Sequence, residues 1–336
     1  HRSHNGQRRN YRKMKCAGCY KEGADGYCSG CRRKLFDGKK VSHVLSFDQP
    51  TADNLVEYHE KTKRLSISGV QLKYSLRLEK KELQLTVKGG QYILKPVPPG
   101  LIAFHDQAPE NEHLTMQIAK QVFKIPVAEN ALIYFRDGSP AYITRRFDVN
   151  PDGTKQLQED FAQLIGKSRQ QDGENYKYEG SYEDIGQFIQ SKVSAPIPVL
   201  ESFFKQVLFN YIFSNGDAHL KNFSLIQTEF GDHVLSRAYD LMCTVLHAPS
   251  ESDTALDLYE GDFESSRYRQ FGCYGRPNFE ELALRLGLLP SRSSRIINEL
   301  LSKKDEVEKM IEHSFLDLST QEQYLHFYQD KIRRFT

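Results

Sequence analysis

No apolar run among the 336 residues approaches the length of a membrane-spanning helix. That sets an integral helical membrane protein aside. No signal-peptide pattern opens the chain either, so the expected compartment is the cytoplasm. No internal repeat is found. Neither sign of charge dominates: 46 Lys and Arg stand against 44 Asp and Glu, a net charge of +2. What remains is a globular composition, 39% hydrophobic and 27% charged, and a length that suits two lobes or domains rather than one core.

The near-zero charge conceals a gradient. Residues 1–40 carry twelve Lys and Arg against three Asp and Glu, a charge of +9 that leaves −7 for the rest. A basic end of this kind suits nucleic acid, an acidic partner, or simply water. Residues 1–13 hold no apolar residue except Tyr11. We read them as an extension, with Met14 as the expected natural start.

Cysteine is sparse but ordered. Four of the six form C-x2-C-x8-C-x2-C at Cys16, Cys19, Cys28 and Cys31. Two such pairs can give four thiolates to one tetrahedral zinc. A coincidental pattern or two disulfides are the alternatives, and a cytoplasmic setting disfavours the disulfides. Four thiolates leave no open position on the metal, so the expected role is structural. Cys243 and Cys273 stand alone and read as small buried residues.

From Arg64 the pattern turns to strands. Tyr74, Leu76 and Leu78 alternate with polar residues, as do Leu83, Leu85 and Val87 after "EKKE". "QYILKPV" follows "KGG" as a third strand, ending near Lys95. "PENEHLTMQIAKQVF" predicts a helix with Leu114, Ile118 and Val122 on one stripe and Glu112 in its first turn. "NALIYF" and "PAYITRRF" predict two more strands. Beyond Asp148 helices dominate: "QEDFAQLIG", "YEDIGQFIQSK", "PVLESFFKQVLFNYIF", and residues 278–287, 291–313 and 319–333. The expected class is α+β, with a knuckle at 14–40, a strand-rich lobe at 41–148 and a helical lobe at 149–336. A site should lie in the cleft between the lobes.

The strongest predicted helix runs into "FSNGDAHLKNFSLI", which crowds Asp217, His219, Lys221 and Asn222 onto one loop. Asp217 and Asn222 are five apart, the spacing of a protein-kinase catalytic loop. There the Asp takes a hydroxyl proton and the Asn holds magnesium. Asp240 follows eighteen residues later, after a predicted hairpin, as a second hard oxygen ligand for Mg2+. Lys95 at a strand end suits the phosphates of ATP, and Glu112 suits Lys95. "SISGVQLK", Ser66–Lys73, stands where a phosphate-covering loop should be, although it lacks G-x-G-x-x-G. Taken singly, each of these residues has an ordinary reading as a turn former, strand edge or helix-dipole partner. Their order on these elements favours a kinase.

With "SISGVQ", "YILKP", "ENEHLTMQIAK", "RRFD", "QEDFAQLIG", "KYEGSY", "NGDAHLKNFS" and "YDL", the chain resembles the HipA family of serine/threonine kinases from about Ser66 onward. These are toxins of bacterial toxin–antitoxin pairs. The resemblance implies a bilobal protein-kinase-like fold, with Asp217 as catalytic base and Asn222 and Asp240 binding magnesium. It places Lys95 on ATP with Glu112 beside it. Ser68, Gly69, Val70 and Gln71 fall in the phosphate loop. Arg145, Arg146 and Phe147 fall near the hinge that holds adenine, and His219 and Lys221 in the family loop. It also implies autophosphorylation on Ser66, with Ser68 a second candidate as in the shorter relatives called HipT. Those relatives use a separate small partner, HipS, for a missing subdomain; here only about fifty native residues precede Ser66. The remaining partners implied are a protein substrate, an aminoacyl-tRNA synthetase in family precedents, an antitoxin, and DNA through the antitoxin. The four-cysteine knuckle is a departure from the best-known members.

Two other readings compete. A small-molecule phosphotransferase uses a similar loop, and the acidic run "ESDTALDLYEGDFE", six acids without Lys or Arg, would suit a cationic substrate. An inactive kinase fold acting as a DNA-binding regulator ranks third, because the expected catalytic residues are all present.

Overall fold

The computed structural model describes residues 14–51, 53–54, 72–99 and 103–336. The phosphate-loop candidates Ser66, Ser68, Gly69, Val70 and Gln71 lie outside the described residues, as does the 1–13 extension.

Five antiparallel strands form the first sheet: β1 (Tyr74–Glu79), β2 (Glu82–Leu85), β3 (Tyr92–Pro96), β4 (Asn130–Tyr134) and β5 (Pro140–Arg145), in the order β2-β1-β3-β5-β4. The alternation read in the sequence sets its two faces. Tyr74, Leu76, Tyr92, Leu94 and Ile143 point to one side, where they bury Leu35 and Phe36 of α1 (Ser29–Phe36). Lys95 lies opposite Tyr142 and shares the other face with it. Val87 falls beyond β2 and is exposed, so that alternation ends one pair earlier than expected.

Helix α2 (Ala108–Gln121) covers the Lys95 face, with Pro109 in its first turn. It is buried on nearly every side, including Asn111, Glu112, His113, Thr115 and Gln117. Such a helix needs internal partners for its polar groups. Asn111 Nδ2 donates to the Cys243 carbonyl at 2.9 Å, the Cys243 N–H returns to Asn111 Oδ1 at 3.1 Å, and Gln117 Nε2 reaches Asn130 Oδ1 at 2.9 Å. The Asn111–Cys243 pair ties the strand-rich lobe to the helical one, and the Gln117–Asn130 bond fixes the helix to its own sheet.

The helical lobe contains α3 (Tyr182–Lys192), α4 (Pro196–Ile212), α5 (Arg276–Arg285), α6 (Pro290–Ser302), α7 (Lys304–Glu312) and α8 (Leu318–Arg333), besides shorter turns. On α4 both predicted rows are buried, Val199, Phe203, Val207 and Tyr211 as well as Leu200, Phe204, Leu208 and Ile212. A small antiparallel sheet, β6 (Gln158–Asp160), β7 (Ser224–Gln227) and β8 (His233–Leu235), lies beside it.

Three expectations need correction. "QEDFAQLIG" starts as β6 and becomes a short helix only at Phe161, because Asp160 caps it by accepting from Gln163 N at 3.0 Å. The helix expected at 291–313 is two helices. Its apolar stripe is interrupted by Lys303 and Lys304, and Lys303 Nζ turns to the Val122 carbonyl at 2.8 Å. The strand expected in "HVLSRAYD" is only His233–Leu235.

Candidate active site

Helix α4 ends at Ile212, and Ser214 takes a left-handed conformation that turns the chain sharply into the polar loop. Buried Ala218 and Leu220 anchor the loop, and Asp217, just before them, is left exposed. Tyr182 OH donates to the Ala218 carbonyl at 2.9 Å. The Asp217 carboxylate accepts from Tyr178 OH at 2.6 Å. Asn222 Oδ1 accepts the His219 N–H at 3.0 Å, closing a tight turn.

Across the cleft, Lys95 Nζ donates to Glu112 Oε1 at 2.5 Å and to Asp240 Oδ1 at 2.6 Å. The Lys95 and Glu112 side chains are 3% and 1% exposed, and that of Asp240 is 28% exposed. A buried ammonium is tolerated only with such partners. Lys73 Nζ takes the second oxygen of Asp240 at 3.0 Å. Burial opposes ionisation of Asp240, but Lys73 and Lys95 override it and hold the carboxyl well below its usual range. Burial raises Glu112, and Lys95 only partly offsets it. Asp240 itself has φ of 55°, a left-handed value unusual for a residue with a side chain.

Asn215 joins the two halves. Its Nδ2 donates to the Asp240 carbonyl at 3.3 Å and to Asn210 Oδ1 at 2.7 Å, while its Oδ1 accepts from Asp217 N at 3.3 Å. Five predicted residues therefore converge: Lys95, Glu112 and Asp240 in direct contact, and Asp217 and Asn222 on a loop tied to Asp240 through Asn215. Sequence reasoning assigned no role to Lys73, Asn215 or Tyr178. "KYEGSY" was a visible signal for Tyr178; nothing local marked Asn215.

The other predicted residues are placed differently. Arg145 alternates away from Lys95 and pairs through both guanidinium nitrogens with Asp37, at 2.7 and 3.0 Å. It fastens α1 to the sheet. Arg146 pairs with Asp148 at 2.5 Å. Phe147 packs against Tyr239, next to Asp240, with ring centres 6.0 Å apart. Lys221 Nζ donates to Asp160 Oδ2 at 2.6 Å. His219 is buried against the Tyr178 ring, and burial lowers its pKa to about 4, so it stays neutral. Half of the acidic run is spent inside the lobe, while Asp257, Glu260 and Glu264 stay exposed. Asp253 pairs with Lys331 and Arg334, Asp262 accepts from Tyr274 OH, and Glu251 accepts from Thr244.

The Sγ atoms of Cys16, Cys19, Cys28 and Cys31 lie within 4.8 Å of one another, and no described cysteine is in a disulfide. Cys19 and Cys28 sulfurs are 3.7 Å apart. A ZnS4 tetrahedron with bonds of about 2.3 Å has edges near this value. Backbone N–H groups of Gly18 and Cys28 point at Cys16 Sγ, at 3.4 and 3.2 Å. The cluster fits a zinc knuckle. It is seated on α2, where His113 Nε2 lies 3.2 Å from the Gly18 carbonyl and Nδ1 lies 3.0 Å from Tyr20 OH.

Residues 65–308 match the sequence family described as the HipA-like C-terminal domain. A Haemophilus influenzae protein is 27% identical over 310 residues, covering 88% of each chain. Y4dM of Sinorhizobium fredii is 30% identical over 259 residues, which are 72% of this chain and 59% of that one. Both bear the name "Putative kinase". Among solved structures, HipA of Shewanella oneidensis, determined with HipB and operator DNA, superposes with a TM-score of 0.64 at 20% identity, over 87% of this chain and 73% of that one. The Helicobacter pylori proinflammatory kinase CtkA gives 0.51 at 11% identity, over 82% and 95%. These likenesses span both lobes and show a kinase-like fold. Among the described residues no helix is long and apolar enough to cross a membrane.

Proposed function

This chain belongs to the family of the HipA-like C-terminal domain, and from that premise we propose that it is an ATP-dependent protein kinase acting on serine or threonine hydroxyls. One observation carries the reading: Lys95 is buried between Glu112 and Asp240, with the Asp217 loop fastened to Asp240 through Asn215. Lys95 contacts the nucleotide phosphates and Glu112 holds it in place. Asp217 takes the acceptor proton. Asp240 and Asn222 offer hard oxygens, the kind of donor that Mg2+ takes. Held there, magnesium would supply charge neutralisation to the phosphates. The Phe147–Tyr239 pair beside Asp240 is the proposed wall for adenine.

The test is incubation with Mg-ATP followed by phosphosite mapping. Asp240→Ala should remove phosphate transfer, because the metal loses its main carboxylate. Transfer at the wild-type rate by that variant would refute the metal assignment. A cationic small-molecule acceptor is less well served by the acidic run than its composition suggests, because Glu251, Asp253 and Asp262 serve the lobe's own contacts.

Autophosphorylation is part of the proposal. Phosphate is expected on Ser66, and to a lesser extent Ser68, after incubation with Mg-ATP. A phosphoserine carries about −1.5 to −2 charges at neutral pH and would repel bound ATP. Ser66→Asp should weaken ATP binding, and Ser66→Ala should preserve it. Recovery of no phosphate between Arg64 and Lys73 would remove self-inhibition from the reading. The partner set proposed is an antitoxin, with DNA reached through it, and a small HipS-like subunit. Copurification of the native operon's products would test it.

We further propose one structural zinc on Cys16, Cys19, Cys28 and Cys31. Metal analysis of protein prepared without chelator should find one equivalent, absent from Cys16→Ser/Cys19→Ser. A strong chelator should lower the thermal midpoint, since structural zinc contributes to folding. Zinc retained by the double variant would disprove the ligand set.

A further inference from the structure

The turn Tyr176–Tyr178 packs against the turn Leu220–Asn222 of the loop that carries Asp217. Tyr178 OH donates to Asp217 Oδ1 at 2.6 Å, and its ring meets that of His219 edge-on, with centres 5.1 Å apart. Tyr178 is 38% exposed. A hydroxyl–carboxylate bond this open to water adds little to folding, because water competes for both groups. What it does fix is the direction of one carboxylate. With Oδ1 engaged by a donor, Oδ2 is the oxygen left for an incoming hydroxyl. His219, buried and neutral, supplies the wall that keeps the Tyr178 ring in place.

The neighbouring residue, Lys177, lies over the same ring. Lys177 Nζ sits 4.8 Å from the centre of the Tyr178 ring. It is half-buried and forms no ion pair with an acid among the described residues. Burial lowers its pKa, and the charges acting on it are those of Asp217, Lys73, Lys221 and Asp240. A half-buried cation that pairs with no acid among the described residues, held over the ring whose hydroxyl touches Asp217, stands beside the proposed base and is available to an anionic group brought there.

We propose that Tyr178 is a positioning residue that aims Asp217 Oδ2 at the acceptor hydroxyl, and that Lys177 is the cation that contacts the phosphoryl group in transfer. This rests on the phosphotransferase reading above. In the step, the acceptor O–H proton passes to Asp217 Oδ2 and the acceptor oxygen bonds to the γ-phosphorus. The bond from that phosphorus to its bridging oxygen breaks, and the electron pair leaves with ADP. Lys177 opposes the negative charge that grows on the oxygens in transit.

The experiment measures ADP release from Mg-ATP by the full chain, with the maximal rate and the KM for ATP taken separately. Tyr178→Phe removes only the hydroxyl. It should lower the maximal rate about tenfold through misdirection of the base, with KM and the thermal midpoint unchanged. In an Asp217→Asn background it should have no further effect, since the group it directs is gone. A merely structural tyrosine would give additive losses instead. Lys177→Ala should lower the maximal rate about a hundredfold, and Lys177→Arg should restore part of it. If wild-type protein transfers phosphate while Tyr178→Phe or Lys177→Ala keeps the wild-type maximal rate, the corresponding assignment is overturned and the kinase reading stands. If wild-type protein releases no ADP, both fall together.

Discussion

Asp217→Asn should lower phosphate transfer from Mg-ATP by about a thousandfold while leaving the thermal unfolding midpoint in place. General-base assistance accounts for roughly 10²–10⁴ in rate, and an amide cannot accept the proton. The fold should not notice the change. Asp217 is exposed and forms no ion pair among the described residues, and the amide oxygen can still accept from Tyr178 OH. ATP binding should be retained, because the proposed phosphate contacts belong to Lys95 and Lys177 rather than to Asp217. Rate by ADP release, binding by calorimetry and unfolding by circular dichroism together decide it. A variant within threefold of the wild-type rate would remove Asp217 from the role of base.

Lys95→Met should have the second large effect, on nucleotide affinity and on stability at once. Lys95 is the shared partner of Glu112 and Asp240. Removing it strips the cation from the phosphates, and the dissociation constant for ATP should rise about tenfold or more. It also leaves Glu112 buried without its direct ion-pair partner, with only the weaker influence of Lys73 to offset its charge. Breaking a buried pair from one side costs about 3–5 kcal/mol. The pH dependence has a definite sign. Glu112 is already raised above its usual value by burial, and without Lys95 it rises further. A carboxyl with a raised folded-state pKa is most at home in the fold below its unfolded pKa and becomes a burden as pH climbs through the folded value. The loss should therefore be largest at neutral and alkaline pH and shrink toward pH 4.5. Asp240 runs the other way. Its depressed pKa gives stability above its unfolded value that is lost on acidification, and Lys73 still holds it in the variant. Lys95→Met/Glu112→Gln should recover stability without recovering ATP affinity. Recovery of both, or unchanged affinity in the single variant, would show that Lys95 serves the fold alone.

The sequence by itself determined the elements and the chemistry they carry. Period-two alternation fixed β1 and β2, two apolar rows fixed α4, and spacing brought Asp217, Asn222 and Asp240 into one proposal. Local patterns suffice there, because each reports how one segment meets water. The paired C-x2-C spacing likewise announced the four-sulfur cluster. Only the tertiary structure decided what each charge faces. Arg145 and Lys95 sit on neighbouring strands, yet opposite faces of the pleat send one to Asp37 and the other to Glu112 and Asp240. Asp253 looked free for a cationic ligand until the fold set Lys331 and Arg334 against it. Lys73, Asn215 and Tyr178 stood in plain view, but their partners lie 167, 25 and 39 residues away. Spacing along a chain carries no record of such contacts. They exist because the buried faces of the sheet, α2 and α4 can be satisfied together in this arrangement, and that packing brings the polar ends to one cleft.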